Sequence, residues 1–259
     1  MGNKRLFSII VLVILVMGSF SPVARGQSLS HLWSQSFGDS NTQCSRSVIC
    51  DTFGNVIVTG YFEGTIDLGG GPLISAGAND IFLAKYDASG NHLWSKSFGD
   101  ADIQYCFGVA ADPSGNVVIT GRFYGSVDFG GGTLTSEGDC DLFVAKFNSS
   151  GSHLWSQRFG DSNSESGQRV AIDTYGNVIV TGYFDGNLYI GGDEQIAAPS
   201  DYNIFVAKFD SDGNPVWSKS FGDDSYWQFG EGVAVDSGGY IILIGNFQGS
   251  VNFGGGTLT

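Results

Sequence analysis

The sequence predicts an all-β fold, a propeller built from four-stranded antiparallel blades, on three observations. Trp33, Trp94, Trp155 and Trp217 recur at spacings of 61, 61 and 62 residues. The text around them is nearly copied: His31-Leu-Trp-Ser-Gln-Ser-Phe-Gly-Asp39, His92-Leu-Trp-Ser-Lys-Ser-Phe-Gly-Asp100, His153-Leu-Trp-Ser-Gln-Arg-Phe-Gly-Asp161 and Pro215-Val-Trp-Ser-Lys-Ser-Phe-Gly-Asp223. Glycine supplies 40 of the 259 residues, beside 20 Phe, 10 Tyr and 5 Trp. A fixed period of this size marks a repeat architecture, and strand-rich units favour a propeller over a solenoid. The aromatic content excludes a disordered chain, and glycines off a three-residue period exclude collagen.

Taken in chain order, residues 1–26 open with Lys4 and Arg5, continue through an apolar run from Leu6 to Met17, and end on Ala24-Arg25-Gly26. This is the layout of a secretory signal peptide cut before Gln27. The run is shorter than the roughly 20 residues a membrane helix needs. The expected mature chain is therefore secreted or held at the cell surface, with no membrane span after cleavage. Its charge is 9 basic minus 26 acidic residues, or −17. So acidic a chain repels phosphate backbones, which excludes nucleic acid as a partner.

Residues 27–259 form the expected repeat domain, with units beginning near His31, His92, His153 and Pro215. Within one unit the first strand is Ser47–Asp51 and the second Asn55–Phe62. The third is Asp80–Asp87, and the turn Ala88-Ser-Gly-Asn91 leads into the tryptophan strand. These runs are β-branched and aromatic, as strands require. Asp-x-x-Gly segments such as Asp51–Gly54 and Asp87–Gly90 suit tight hairpins, because Asp caps its own turn and Gly takes the positive φ. The connections after Phe-Gly-Asp, and between the second and third strands, are longer. The blade thus has a short-hairpin side and a long-loop side, and the long loops are the default binding face. Gly69–Gly71, Gly130–Gly132 and Gly254–Gly256 read as hairpin tips or bulges, since no Lys-Ser/Thr and no helix follow as in a phosphate loop.

The aliphatic-Ala-x-Asp-x-x-Gly-Asn strand pair, Val-Thr-Gly-Tyr-Phe-x-Gly, Phe-Gly-Gly-Gly, Asp-x-Phe-Val-Ala-Lys-Phe-Asp and Leu-Trp-Ser-x-x-Phe-Gly-Asp together resemble the SBBP-type bacterial β-propeller repeat over residues 31–259. The resemblance implies blades of four antiparallel strands in a secreted or surface-attached protein. The fourth unit departs from it at Pro215 and Gly239-Tyr240 and lacks a third strand after Phe253-Gly-Gly-Gly-Thr-Leu-Thr259, so the chain is expected to be a piece of a larger propeller.

Candidate chemistry is sparse. The tryptophans invite a cofactor reading, but Asp87-Ala-Ser-Gly-Asn-His-Leu-Trp94 resembles the docking turn of quinoprotein propellers, where Trp packs blade on blade. Trp33, Trp94, Trp155 and Trp217 are therefore read as structural anchors. His31, His92 and His153 sit at equivalent places on separate blades and cannot meet at one metal ion, nor does the pattern place a histidine on a Ser or Cys. Asp39, Asp100, Asp161 and Asp223 each open a long connection; their carboxylates are candidate Ca²⁺ ligands, with turn capping as the plainer role. Asp210-Ser-Asp-Gly-Asn214 lacks the distal Glu of an EF-hand loop and reads as a turn. Tyr226 and Trp227 are candidate ligand-stacking aromatics. Cys44, Cys50, Cys106 and Cys140 are small buried residues or one bridge, and pairing is open among three arrangements. No cofactor other than Ca²⁺ is implied. The function expected is a non-enzymatic scaffold for protein or glycan binding and adhesion at the long-loop face. The alternative is a secreted enzyme, quinoprotein-like or glycan-cleaving, but an enzyme breaks its repeat at the site and these units read as close copies.

Overall fold

The computed structural model describes residues 9–11, 31–196, 202–223 and 227–259. The described chain is all-β, and its sheets follow the repeat. The first is ordered Gln43–Cys50, Val56–Phe62, Asp80–Tyr86, His92–Phe98. The second is Gln104–Ala111, Val117–Phe123, Asp141–Phe147, His153–Phe159, and the third Glu165–Ile172, Val178–Phe184, Asn203–Phe209, Pro215–Phe221. The fourth unit contributes the pair Gln228–Val235 and Ile241–Phe247. Within each sheet every strand pairing is antiparallel; the first and second strands, and the third and fourth, are joined by tight hairpins. The propeller-like repeat fold expected from the tryptophan period is thus present.

The hairpins form as the turn chemistry requires. Asp51 Oδ1 accepts the backbone N–H groups of Phe53 and Asn55, each at 2.9 Å, while Gly54 takes φ +80°. That φ is in the left-handed region that a side chain resists. Between second and third strands each unit inserts a small two-stranded ribbon, such as Thr65–Asp67 with Pro72–Ile74, with Gly69–Gly71 at its tip. Asp67 Oδ1 accepts from the N–H groups of Gly69 and Gly71, which fixes the tip.

One strand boundary differs from the sequence expectation. The first strand begins at Gln43 rather than Ser47, because a β-bulge at Arg46 shifts the register between Ser45 and Ser47. A bulge inserts one residue and breaks the period-two alternation that marks a strand. The segment Gln35–Phe37, the first tryptophan strand, pairs with Ile9–Val11 in the register Ile9↔Phe37, matching Ile81↔Phe98 of the first sheet. The expected cleavage point before Gln27 lies outside the described residues.

Adjacent sheets pack face to face. Ile57, Ile81, Leu83 and Phe98 of the first sheet interlock with Val117, Ile119, Phe123, Phe143 and Phe147 of the second in one buried cluster. Buried side-chain area of this kind supplies about 25 cal/mol per Å². Each sheet also pairs a lysine with the Asp of its first hairpin, buried for Lys85–Asp51 at 2.9 Å and Lys146–Asp112 at 3.4 Å and half-buried for Lys208–Asp173 at 2.9 Å. No helix among the described residues is long and apolar enough to cross a membrane.

Candidate functional site

The first strands of the four units are neighbours, Gln43–Cys50 beside Gln104–Ala111, then Glu165–Ile172, then Gln228–Val235. They are the inner strands of the arrangement, and each enters from the long-loop side. Each carries its bulge three residues from that end, at Arg46, Phe107, Gln168 and Glu231. Bulges re-aim side chains and occur beside functional sites. Here the four equivalent residues are all different: a cation, an aromatic ring, an amide and an anion. Their neighbours two places before also differ, Cys44, Tyr105, Ser166 and Phe229, and opposite these on the second strands stand Tyr61, Arg122, Tyr183 and Asn246, tyrosine in two units and a different residue in each of the others.

These residues form one connected strip. Arg46 donates to the Tyr61 hydroxyl at 2.9 Å, and its guanidinium lies 5.2 Å from the Tyr61 ring and 5.8 Å from Phe107. Tyr61 meets Tyr105 edge-on at 4.6 Å, and Tyr105 stacks on Phe107 at 5.8 Å. Arg122 lies 5.4 Å from the Tyr105 ring and 5.8 Å from Phe107, and donates to the Tyr183 hydroxyl at 2.9 Å. Tyr183 then meets Tyr202 at 5.1 Å and Phe229 at 4.9 Å. Arg169 donates to the Phe107 carbonyl at 3.0 Å. An open groove of about 540 Å³, lined by Asn41, Thr42, Cys44, Tyr61 and Glu63, adjoins the Arg46 end.

The residues singled out from the sequence lie around this strip. Trp33, Trp94 and Trp155 donate their indole N–H groups, each at 3.1 Å, to the carbonyls of Ala88, Ser149 and Ser211 in the turn of the following sheet. The rings cover Gly90, Gly151 and Gly213; a Cβ on Gly90 would stand 2.7 Å from the Trp33 ring. Trp217 occupies the equivalent strand position in the third sheet. The tryptophans are separated by blades and do not share a site.

Asp39, Asp100, Asp161 and Asp223 are likewise kept apart, each as the hub of its own long connection. Asp39 accepts from the Asn41 N–H at 2.7 Å, Gln43 Nε2 at 2.6 Å and the Thr65 N–H at 3.1 Å. The Asn41 N–H leads the donors that lower its pKa to about 2. Asp100 and Asp161 accept from the Ser126 and Asn187 N–H groups, and Asp223 from Ser250. Among the described residues no group of three or more His, Cys, Asp or Glu side chains is placed to hold a metal ion. Asp210 accepts from the Asp212 and Asn214 N–H groups, as a hairpin Asp does.

One expectation about histidine is corrected. His92 Nε2 lies 3.0 Å from Ser95 Oγ, and His153 Nε2 lies 3.0 Å from Ser156 Oγ. Residues three apart on a regular strand face opposite ways, but register shifts at Lys85/Tyr86 and Lys146/Phe147 turn them together. Both imidazoles sit against glycine tips, with Gly70 and Gly131 over them. The pair is a repeated brace for the ribbon. Trp227 is 55% exposed and reaches Tyr202 at 6.5 Å, which attaches it to the strip; Tyr226 lies outside the described residues. The four cysteines are free thiols: Cys106 and Cys140 buried, Cys44 half-buried and Cys50 exposed, so burial covers only part of the set.

The strip itself is absent from the sequence-derived candidates. The signal that finds it is the reverse of the repeat: aligned units agree at the turns and tryptophans, and all four disagree at Cys44, Tyr105, Ser166 and Phe229 and again at the bulge residues Arg46, Phe107, Gln168 and Glu231.

No family model matches the chain. It is similar to an uncharacterized WD repeat-containing protein, L264, of Acanthamoeba polyphaga mimivirus, at 26% identity over 207 residues, 67% of this chain and 15% of that protein. It is also similar to the regulatory protein FlaEY of Caulobacter vibrioides, at 25% identity over 164 residues, 59% of this chain and 16% of that protein. The matched region spans less than a fifth of the length of either relative. WD repeats are four-stranded propeller units, so the first similarity agrees with the sheets described above.

Proposed function

We propose that this chain is a non-enzymatic, exported repeat scaffold of SBBP type that binds a protein partner along its inner strands, from the long-loop side. The observation that carries the reading is that the bulge positions Arg46, Phe107, Gln168 and Glu231 carry four different side chains, side by side on neighbouring inner strands, in units whose turns and tryptophans are closely copied. A scaffold needs its packing residues repeated and its contact residues free to differ, which is how repeat proteins present binding surfaces. The similarity to a WD repeat-containing protein supports a scaffold role. The basic start and apolar run of residues 1–26 support export and attachment at the cell surface. The long-loop face is then the adhesive face, with Trp227 at one end of the strip. The aromatic residues suit protein hot spots, being rigid and amphipathic.

The test is site-specific photo-crosslinking in producing cells. A photoreactive phenylalanine analogue at Arg46 or Glu231 is expected to give polypeptide adducts, whereas the same group at Tyr175, on a short hairpin and 84% exposed, gives none. Equal labelling at all three positions, or none at any, rejects the binding face. Recovery of the chain only in the cytoplasmic fraction rejects export.

A further inference from the structure

The charge on the inner strip is out of keeping with the rest of the molecule. The mature chain carries 26 acids against 9 bases. Most described cations away from the strip are already neutralised locally: Lys85, Lys146 and Lys208 by hairpin aspartates, and Arg158 by Asp141 and Glu137. Arg46, Arg122 and Arg169 are different. Among the described residues none of the three has a carboxylate partner, although acids outnumber bases almost threefold.

All three converge on Phe107. The guanidinium carbons of Arg46 and Arg122 each stand 5.8 Å from its ring centre, so they are no more than twice that distance apart, and Arg169 Nη1 is 3.0 Å from its carbonyl oxygen. The hydrogen-bond partners present are all neutral: the hydroxyls of Tyr61 and Tyr183 and the carbonyls of Phe107 and Gln168. A guanidinium has five N–H donors, and each of these uses only part of its set. Arg122 Nε is buried and has no hydrogen-bond partner among the described residues. The Tyr183 hydroxyl accepts from Arg122, and the Tyr61 hydroxyl is shared between Arg46 and the Cys44 thiol. Around Phe107 the strip therefore gathers arginine donors that no carboxylate among the described residues pairs with.

We propose that this cluster is a carboxylate-recognition site for Asp or Glu side chains on an extended, partly apolar peptide segment of the partner. This inference rests on the protein-binding reading of the same strip and names its chemistry. Arginine forks bind carboxylate bidentately, with charge-assisted bonds about twice as strong as neutral ones. A peptide rather than a polyanion is selected by two features. The strongly acidic remainder of the chain repels a ligand of high negative charge, so one or two carboxylates are tolerated where a polyuronate or nucleic acid is not. Apolar anchors also flank the arginines: Val48, 54% exposed on the same strand as Arg46, and Trp227 at the other end. The acid Glu231 closes the bulge series and sets a polarity along the strip, cationic at Arg46 and anionic in the fourth unit.

The probe is a labelled peptide, acetyl-Leu-Glu-Phe-Asp-Leu-amide, with acetyl-Leu-Gln-Phe-Asn-Leu-amide as its uncharged counterpart, titrated by fluorescence anisotropy against the full chain. Binding of the acidic peptide is expected to be at least tenfold tighter, and Arg46→Gln, an exposed position, should cut that preference to under threefold without changing Tm. Arg169→Gln provides a second, independent loss. If both peptides bind equally and Arg46→Gln changes neither, the carboxylate site is overturned while protein binding stands. If neither peptide binds, or if a glucuronate oligomer binds in their place and displaces nothing, the carboxylate-peptide assignment falls. The crosslinking experiment at Arg46 and Glu231 then decides the protein-binding reading separately.

Discussion

The indole N–H of Trp94 donates to the carbonyl of Ser149, 3.1 Å away and 55 residues later, so the outer strand of one sheet is latched to the hairpin of the next. The ring lies against Gly151, whose φ of +81° turns the hairpin beneath it. Removing the ring removes both the latch and its apolar contact. Trp94→Ala is expected to cost about 3 kcal/mol by loss of buried aromatic area, and Trp94→Phe about 1 kcal/mol through the hydrogen bond. Trp217 has no such turn beyond it among the described residues, and Trp217→Ala should cost less than half as much as Trp94→Ala. Urea unfolding of the three variants checks the order; equal losses at Trp94 and Trp217 would mean that docking is not what the ring does.

Lys85 and Asp51 form an ion pair with side chains 3% and 0% exposed. Burial alone raises the Asp51 pKa, but hydrogen bonds from Lys85 and Asn55 outweigh it and hold the carboxyl below its ordinary range. A depressed folded-state pKa gives stability that is present above the unfolded value, near 4, and is lost as pH falls through the folded one. Asp173 behaves alike, with burial opposed by Asn177 and Lys208. Lys85→Met leaves the Asp51 charge buried without its partner and should cost about 3–5 kcal/mol at pH 7. The double variant Lys85→Met/Asp51→Asn should recover part of that loss and show a shallower acid limb in thermal melts between pH 5 and 2. An unchanged acid limb would remove this pair from the account of acid unfolding.

Most of the architecture is legible in the sequence because packing and turn chemistry repeat. The spacing of Trp33, Trp94, Trp155 and Trp217 and the Asp-x-x-Gly turns establish unit, strand order and hairpin side, and the glycine runs mark ribbon tips. The bulge at Arg46 was not legible, since an inserted residue erases alternation and makes Gln43–Ser45 resemble a loop. The strip is hidden for a related reason: a repeat shows itself by agreement between units, whereas Arg46, Phe107, Gln168 and Glu231 share only a position. The brace between His92 and Ser95 needs a bulge to exist, so strand periodicity argues against it.

Asp39, Asp100, Asp161 and Asp223 bear on calcium. Their oxygens accept from backbone and amide donors within their own connections, and the carboxylates do not meet. A calcium ion needs six to eight oxygen ligands gathered at one point. The expected outcome is therefore an unchanged Tm between millimolar calcium and a chelated control, whereas Asp100→Ala, which removes the acceptor of the Ser126 N–H and the shortest of the Gln104 Nε2 hydrogen bonds, lowers Tm under both conditions. A calcium-dependent rise that vanishes in Asp100→Ala would restore the metal reading.

Thiol reactivity separates the four cysteines. Cys50 is exposed and Cys44 half-buried, while burial pushes the Cys106 thiol up to about 12 and raises Cys140 in the same direction. Only the thiolate attacks a disulfide reagent. Native protein should therefore release one equivalent quickly from Cys50 with Ellman's reagent and a slower one from Cys44, and the remaining two only in denaturant. Cys50→Ser should abolish the fast phase. Four silent thiols in denaturant would show bridges in place of free cysteines.

Glu165 is the one acid in a position that the other units give to glutamine. Gln43, Gln104 and Gln228 donate to Asp39, Asp100 and Asp223 at 2.6, 2.7 and 3.0 Å. Glu165 is fully buried, and its Oε1 has no hydrogen-bond partner. Burial, followed by the nearby Asp161 and Asp141, raises its pKa to about 9. Arg158, paired with Asp141 and Glu137, is the cation the third unit adds where the others carry serine. A protonated Glu165 replaces the missing amide as a donor, whereas an ionised one confronts Asp161. The folded state therefore holds a proton that the unfolded chain releases near pH 4.3, so stability is fully present below that value and falls by about 1.4 kcal/mol per pH unit until the folded pKa is passed. Glu165→Gln restores the donor at every pH. Its Tm should match that of the unaltered chain near pH 4 and exceed it increasingly from pH 6 to 9, a widening difference that calorimetry across this range reads directly. A gain that is the same at pH 4 and pH 9 would mean that shape rather than charge distinguishes the two residues.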